Sequence, residues 1–168
     1  GGIFGCSIAW NLSRRSSGSV LLLERRELTS ATTPRAAGLI RNLNPNQGQT
    51  ALKTLTIETI ELLGEELEEP LHWHQVGGLL VAESEANISH LEDLEKHAFE
   101  PGGNFRWIER AEAEEMVLWL DGSKAKKFAL LPDDGFIDPY LFAQFYARAA
   151  KKHGAVLKTG IEVTALQK

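Results

Sequence analysis

Two glycines near the start of the chain are the first residues whose type and spacing suggest chemistry. Gly2 and Gly5 match the second and third glycines of a GxGxxG motif and lead into a helical pattern. In that motif a tight strand-to-helix turn brings backbone N–H groups against a pyrophosphate, and the helix N-terminus adds favourable dipole charge. We expect the first glycine and its strand just upstream of Gly1. The pattern predicts a nucleotide cofactor.

An acidic residue follows the glycines at the distance that a dinucleotide site requires. Ile8, Ala9 and Leu12 have the apolar spacing of a helix, and Val20 to Leu23 form the continuous apolar run of a strand buried on both faces. Glu24 ends that strand about 20 residues after the glycines, where a carboxylate accepts hydrogen bonds from an adenosine ribose. A glutamate that only ends a strand is the simpler alternative.

Small and hydroxyl-bearing residues dominate the stretch after Glu24, within a loop over residues 25–49. The segment SATTPRAAGL, residues 30–39, has the composition expected where backbone approaches a ligand closely. A plain surface loop is the alternative. We favour a ligand-binding role because a long loop directly after a nucleotide-binding strand is more often functional than idle.

Composition excludes several classes of function. The 168 residues carry a net charge of −5, which gives no basic footprint for nucleic acid. No apolar run approaches the roughly 18 residues that a membrane span requires. One cysteine rules out an internal disulfide framework, and Cys6 at the start of a helix is interpreted as a small residue packed against the sheet.

The rest of the chain alternates between helical and strand-like patterns. Helices are predicted around 52–67, ending before Pro70, and at 88–98, 111–120 and 139–152; strands are predicted at 78–82, 105–108, 128–131, 155–159 and 161–166. Asp138 and Pro139 are an N-cap and a first-turn proline, and Gly154 ends that helix. The helix-breaking residues 101–104 separate the helix predicted at 88–98 from the strand predicted at 105–108.

This order predicts an α/β fold: an FAD-binding Rossmann-like βαβ unit with an inserted α+β substrate-domain portion, truncated at both ends. Three regions are expected. Residues 1–49 form the βαβ unit and flavin loop, 50–135 a mixed α+β region with part of the substrate domain, and 136–168 a helix and strands that return to the FAD-binding domain.

Four ordered segments resemble the FAD-dependent amine and amino-acid oxidoreductases of the D-amino-acid oxidase superfamily. They are GGIFGCSIAWNLSRR, VLLLERRELTSATTPRAAGLIR, HWHQVGGLLVA and LLPDDGFIDPYLFAQFYARAAKKHGAVL, and the branch they resemble is that of the sarcosine and dimethylglycine dehydrogenases. The resemblance implies extended FAD, with its pyrophosphate at Gly2 and Gly5 and its ribose on Glu24, next to Arg25. It further implies cofactor contacts at Ser30, Thr32, Thr33, Ala36, Ala37, Gly38, Leu39 and the backbone of Val163.

One departure from the family pattern concerns the attachment of the flavin. Members with covalent flavin carry Trp-His where this sequence has Pro34-Arg35, so the nucleophilic imidazole is missing. We therefore predict non-covalent FAD. Flavin itself carries the redox chemistry, while protein groups orient the substrate and tune the ring.

Other residues with chemical potential have simpler structural explanations. Arg41 is a candidate to bind a substrate carboxylate, and Arg35 is a weaker one. The alternative for each is an arginine that only faces solvent. His72 and His74 lack a third metal ligand, so no metal is predicted. Asp133 and Asp134 belong first to a turn. The tryptophans Trp73, Trp107 and Trp119 are expected to fill cores, with a substrate cage as the minority alternative.

The resemblance implies oxidation of the C–N bond of a small amino acid such as sarcosine or dimethylglycine. Two alternatives stay open: a non-enzymatic, dehydrogenase-like regulatory subunit, and an oxidase of glycine or a D-amino acid. Oxygen or an electron-transfer protein is the expected electron acceptor. The expected compartment is the cytoplasm or the mitochondrial matrix.

Overall fold

The computed structural model describes residues 1–15, 18–41, 43, 47–98 and 104–167. It forms two compact units. The first unit comprises Gly1–Gly38, Glu58–His72 and Ile137–Lys168, and the second comprises Leu39–Ile57 and Trp73–Phe136. The sequence-based division at residues 49/50 and 135/136 stays a prediction.

Helices and strands alternate along the described chain. In order they are α1 (Ile3–Arg15), β1 (Leu21–Leu23), β2 (Leu39–Ile40), α2 (Gln47–Leu67), β3 (Trp73–His74), β4 (Gly78–Ala82), α3 (Glu85–His97), β5 (Arg106–Ile108), α4 (Arg110–Met116), β6 (Lys127–Leu131), β7 (Gly135–Ile137), α5 (Pro139–Lys152) and β8 (Val156–Lys158). Short 3-10 helices cover Thr33–Arg35 and Gly122–Lys124. None of the helices described is both long and apolar enough to cross a bilayer.

Two strands of the first unit pair in parallel. Strand β1 pairs with β8 in parallel, with Leu22 opposite Leu157. Helix α1 packs along α5 through Cys6, Ala9 and Trp10, and the Trp10 ring lies 5.4 Å from the ring of Tyr146. These features confirm the predicted α/β fold class.

The buried faces of α1 and β1 differ from the sequence-based expectation. In β1 only Leu22 is buried, whereas Leu21 is 57% exposed, so the prediction of a strand buried on both faces is wrong. Ile8 and Leu12 on α1 are also exposed. The reason is helical phase: the residues at i, i+3 and i+4 that meet α5 are Cys6, Ala9 and Trp10, a set rotated from the one predicted.

In the second unit an antiparallel sheet supports a helix. The strand order is β4-β6-β5, with Leu80 opposite Ala129 and Trp107 opposite Ala129. Helix α3 begins after the N-cap Ser84, whose Oγ accepts from the Asn87 N–H. The core of this unit contains two clusters: Leu43, Ala82, Ile88, Leu91, Leu94, Ala129 and Leu131 form one, and Ile108, Ala113, Phe128 and Leu130 form the other. The predicted strands and α3 are confirmed; of the breaker at 101–104, residues 101–103 lie outside the described residues.

One predicted helix ends earlier than expected, and one predicted strand is absent from the described chain. Helix α4 stops at Met116 because Val117 adopts φ −129° and ψ 88°, outside the helical region. A turn follows, closed by a bond from the Leu120 N–H to the Val117 carbonyl, and it leaves Trp119 86% exposed. The core role predicted for Trp119 is therefore wrong. Residues 161–166 form no strand in the described chain, although the Ile161 N–H bonds the Glu24 carbonyl.

The predicted boundaries of α5 are confirmed. The Asp138 carboxylate accepts from the N–H groups of Tyr140 and Leu141, and Pro139 follows in the first turn. After Lys152 the chain leaves the helix through Gly154, whose φ of +86° suits a residue without a side chain. The turn at residues 132–135 is likewise present, between β6 and β7.

Candidate functional site

The N-terminal end of α1 and the loop after β1 enclose a pocket of about 410 Å³ within the first unit. Its lining consists of Gly2, Ile3, Phe4, Gly5, Glu24, Thr29, Ser30, Ala31, Thr32, Thr33 and Ala36. The volume lies within the usual range of ligand pockets, about 300 to 1,000 Å³. The backbone N–H groups in the first turn of a helix have no intrahelical acceptor, and the helix dipole favours negative charge there.

The loop closes directly onto the start of α1. The Ile3 N–H donates to Thr33 Oγ1 at 3.1 Å, across thirty residues of sequence. A Cβ on Gly2 would lie 2.9 Å from the same Oγ1, so any side chain at Gly2 forces this hydroxyl away. A Cβ on Gly5 would meet Leu22 Cδ1 at 3.6 Å, an ordinary contact. Of Gly2 and Gly5, Gly2 is therefore the one at which a side chain would disturb this contact.

Glu24 presents a carboxylate at the carboxyl end of β1. Its Oε2 lies 2.9 Å from the Gly1 amino group, and its Oε1 accepts from the Arg26 N–H at 2.9 Å. The side chain is 19% exposed, so an ionised acceptor is available at the wall of the pocket.

Thr29 anchors the loop and was missed by the sequence analysis. It is buried with φ at +60°, a left-handed conformation that is rare outside glycine. Its N–H donates to the Gly1 carbonyl, and its Oγ1 accepts from Gln144 Nε2 at 3.0 Å. No local pattern could have indicated this role, because it depends on a partner in α5.

The structure brings together most of the residues that the sequence assigned to the cofactor. Those in the pocket lining are Gly2, Gly5, Glu24, Ser30, Thr32, Thr33 and Ala36. Arg25 instead faces Glu162 at 3.8 Å, and Val163 is 55% exposed in the segment after β8. Ala37 and Gly38 follow the pocket along the chain, and Leu39 belongs to the second unit. Their roles toward a cofactor stay predictions.

Cys6 is buried inside the first unit, and its predicted packing against the sheet stays a prediction. Its side chain is fully buried, with Sγ 3.5 Å from the Gly1 carbonyl. Burial raises the pKa of the thiol because desolvation disfavours the thiolate. The residue is a neutral packing group beside the pocket.

Other candidate residues lie in the second unit. Arg41 Nε is 3.9 Å from Asp134 Oδ2, and the Asp134 side chain is nearly buried. Asp133 accepts from Gln75 Nε2 and Asn104 Nδ2. Both aspartates have protein partners that fix the turn between β6 and β7.

The two histidines flank Trp73. His74 stacks on Phe136 with ring centroids 4.7 Å apart. Within the described ranges, no three His, Cys, Asp or Glu side chains are grouped to hold a metal ion.

The pocket fits the diphosphate and ribose portion of a dinucleotide. Three features meet in one cavity: the backbone N–H groups at the start of α1, a glycine at which a side chain would collide with Thr33, and the carboxylate that follows the first strand. The N–H groups match the negative charge of the diphosphate, the glycine allows the diphosphate to approach closely, and the carboxylate matches the sugar hydroxyls.

Comparison with known proteins gives one family and a set of relatives. The family described as FAD dependent oxidoreductase (DAO) matches residues 1–168. The human mitochondrial dimethylglycine dehydrogenase is 30% identical over 99% of this chain, and the mouse mitochondrial sarcosine dehydrogenase is 29% identical over 99%. The chain spans 19% and 18% of those two proteins.

A solved structure agrees with these relatives. L-proline dehydrogenase from P. horikoshii superposes with a TM-score of 0.87 at 26% identity, covering 99% of this chain and 44% of that one.

Proposed function

From the premise that this chain belongs to the family of FAD dependent oxidoreductases, we propose that its first unit holds FAD without a covalent bond. We further propose that the protein oxidises the C–N bond of a small N-methyl amino acid, such as sarcosine or dimethylglycine. The observation that carries the first proposal is the pocket between the α1 N-terminus, the loop at 29–36 and Glu24.

Three features of the pocket would act on the dinucleotide. The N–H groups at the start of α1 would face the diphosphate oxygens, which Gly2 allows to approach because it has no side chain. Glu24 would accept hydrogen bonds from ribose hydroxyls. Bound flavin supplies the acceptor for a hydride equivalent from the C–H beside the amine nitrogen.

The substrate proposal is supported by the relatives. The matches to a dimethylglycine dehydrogenase and a sarcosine dehydrogenase extend over nearly the whole of this chain. Both names describe N-methylated glycines, so the shared substrate class is a small amino acid with an alkylated nitrogen. This chain contributes the cofactor pocket to that proposal.

Pro34 and Arg35 support non-covalent attachment. Both lie in the 3-10 helix Thr33–Arg35, next to the pocket, where the covalent members of the family carry Trp-His. A guanidinium stays protonated at neutral pH and does not act as the nucleophile that an imidazole can be. Acid precipitation of the purified flavoprotein tests this: flavin is expected in the supernatant, and flavin retained in the protein pellet would contradict it.

Anaerobic reduction of the bound flavin tests the substrate class. The intact protein that carries this chain is mixed separately with sarcosine, dimethylglycine, glycine and D-alanine, and flavin absorbance is followed. Bleaching by sarcosine or dimethylglycine is expected. Bleaching only by glycine or D-alanine moves the substrate to the primary amines, and no bleaching with any of the four favours a regulatory subunit.

A further inference from the structure

Thr29 combines burial with an unfavourable backbone conformation at the wall of the cofactor pocket. The residue is 2% exposed, and its φ of +60° lies in the left-handed region. Branching at Cβ makes this region costly for threonine, so an isolated chain would seldom adopt it. Such a conformation persists only where surrounding contacts impose it, and it is found preferentially at ligand-binding sites. The contacts of Thr29 must therefore stabilise it in this conformation.

The backbone of Thr29 joins the loop to the start of α1. Its N–H donates to the Gly1 carbonyl at 2.9 Å, just before the helix begins. Four residues further along the loop, Thr33 Oγ1 accepts from the Ile3 N–H. One bond is donated by the loop and the other by the helix, so residues 29–33 are held beside the first turn of α1. The position of Thr29 thereby sets where the pocket wall stands relative to the N–H groups of that turn.

The side chain of Thr29 is held by a residue outside the pocket lining. Its hydroxyl donates to the Leu28 carbonyl at 2.6 Å and accepts from Gln144 Nε2 at 3.0 Å. Gln144 lies on α5 and is half-buried, between the buried residues Ala143 and Phe145. The glutamine therefore extends from a packed helix, which keeps its amide in place. Removing the amide leaves one bond of the hydroxyl unmade, and a bond to a buried polar group is costly to lose.

We propose that Gln144 is a positioning residue of the cofactor pocket. Its amide holds Thr29 in the left-handed conformation, and Thr29 in turn holds the following loop residues against the start of α1 in the geometry that binds the diphosphate. The inference rests on the proposed FAD site. It gives α5, none of whose described residues lines the pocket, a share in cofactor affinity, because a wall that is fixed in advance loses less freedom on binding.

Titration of the apoprotein with FAD, followed by quenching of flavin fluorescence, measures this role in the intact protein that carries this chain. Gln144→Met preserves the length of the side chain but removes the donor, and Thr29→Val preserves the branched shape but removes the hydroxyl. Each should raise the FAD dissociation constant about tenfold, a loss that one hydrogen bond to a buried group can produce. Thr29→Ser keeps the hydroxyl and should stay within about twofold of the unmodified protein.

The double variant Gln144→Met with Thr29→Val tests whether the two residues act through one contact. Its loss of affinity should equal that of either single variant, since each alone already breaks the bond. Arg148→Met is the matched control, because Arg148 lies one turn further along α5 and pairs with the exposed Glu69, outside the pocket lining. It should leave the FAD dissociation constant unchanged. Gln144→Met changes a half-buried side chain and supplies the measurement should Thr29→Val fail to fold.

Hydrogen exchange of the apoprotein separates positioning from a general loss of stability. In Gln144→Met the amides of Ile3 and Thr29 should exchange faster, while those in the middle of α5 keep their protection. Either an FAD affinity or an exchange of these two amides that matches the unmodified protein overturns the role, and so do additive losses in the double variant. If the unmodified protein binds no FAD, the proposed function fails and this role with it, whereas unchanged affinity in the variants overturns the role alone.

Discussion

Strand β1 in the first unit and strand β6 in the second both consist mainly of apolar residues but differ greatly in burial. The run Leu21–Leu23 buries only its middle residue, whereas four of the five residues in Lys127–Leu131 are buried. Strand β6 has a neighbour on each side, β4 and β5, and α3 packs against the same sheet. The two-stranded sheet of β1 and β8 has no such flanking strand in the described chain.

The difference shows where each unit gets its stability. In the second unit the apolar side chains of the sheet form two clusters, one with α3 and one that includes Ala113 of α4. In the first unit the large buried side chains belong mainly to helices, among them Trp10, Phe142 and Tyr146. The strand β1 thus contributes less to packing and more to placing Glu24 at the pocket.

The largest expected effect tests this contrast directly. Leu131→Ala removes a fully buried side chain from β6 and should lower the free energy of unfolding by about 2 to 5 kcal/mol. Leu21→Ala on β1 removes one that is 57% exposed, and its effect should stay within about 0.5 kcal/mol. Urea denaturation followed by circular dichroism gives both values. Equal losses for the two variants would refute the contrast.

A second prediction concerns the helices of the first unit. Glu66 on α2 accepts from Trp10 Nε1 on α1 at 2.8 Å and also bonds His153 at the end of α5. Glu66→Ala leaves the indole N–H of a buried tryptophan without this acceptor and should cost about 1 to 3 kcal/mol of unfolding free energy. The exposed neighbour Glu65 provides the control: Glu65→Ala should change stability by less than about 0.5 kcal/mol.

The effect at Glu66 should depend on pH. Burial opposes ionisation, but hydrogen bonds from His153 and Trp10 outweigh it and hold the pKa of Glu66 below its ordinary value. A lowered folded-state pKa contributes stability above the unfolded value of about 4.3, and that contribution is lost as the pH falls through the folded value. The difference between wild type and Glu66→Ala should therefore shrink below pH about 4. A difference independent of pH would contradict the assigned role of the carboxylate.

The same contrast explains what the sequence could and could not predict. Gly2, Gly5 and Glu24 were identified because their spacing reflects one local strand-turn-helix unit, and Asp138 because capping is equally local. The exposure of Leu21 could not be predicted from its apolar neighbours in the sequence, because it depends on which strands flank β1. Thr29 was missed for a related reason: its partner Gln144 is 115 residues away.

Trp119 shows the limit of composition as a guide. A tryptophan is most often buried at least in part, so a core position was the natural expectation. The helix before it ends at Met116, and the turn that follows places the ring in solvent. The exposure of Trp119 therefore follows from the backbone angles at Val117.

A third prediction separates the two glycines of the cofactor pocket. Gly2→Ala places a Cβ 2.9 Å from Thr33 Oγ1 and should weaken FAD binding about tenfold, which corresponds to about 1.4 kcal/mol. Gly5→Ala meets only Leu22 Cδ1 at 3.6 Å and should have a smaller effect. Quenching of flavin fluorescence during titration of the apoprotein measures both affinities. A larger loss for Gly5→Ala would mean that the loop contact at Thr33 does not shape the site.

A fourth prediction compares one helix cap in each unit. Asp138 accepts from two backbone N–H groups of α5, whereas Ser84 accepts from one backbone N–H of α3. Substitution of a cap by alanine costs about 0.5 to 2 kcal/mol, so Asp138→Ala should lie in the upper half of that range and Ser84→Ala in the lower half. Chemical denaturation ranks them. A larger loss for Ser84→Ala than for Asp138→Ala would mean that the buried aromatic residues of α5 hold its first turn in place without the cap.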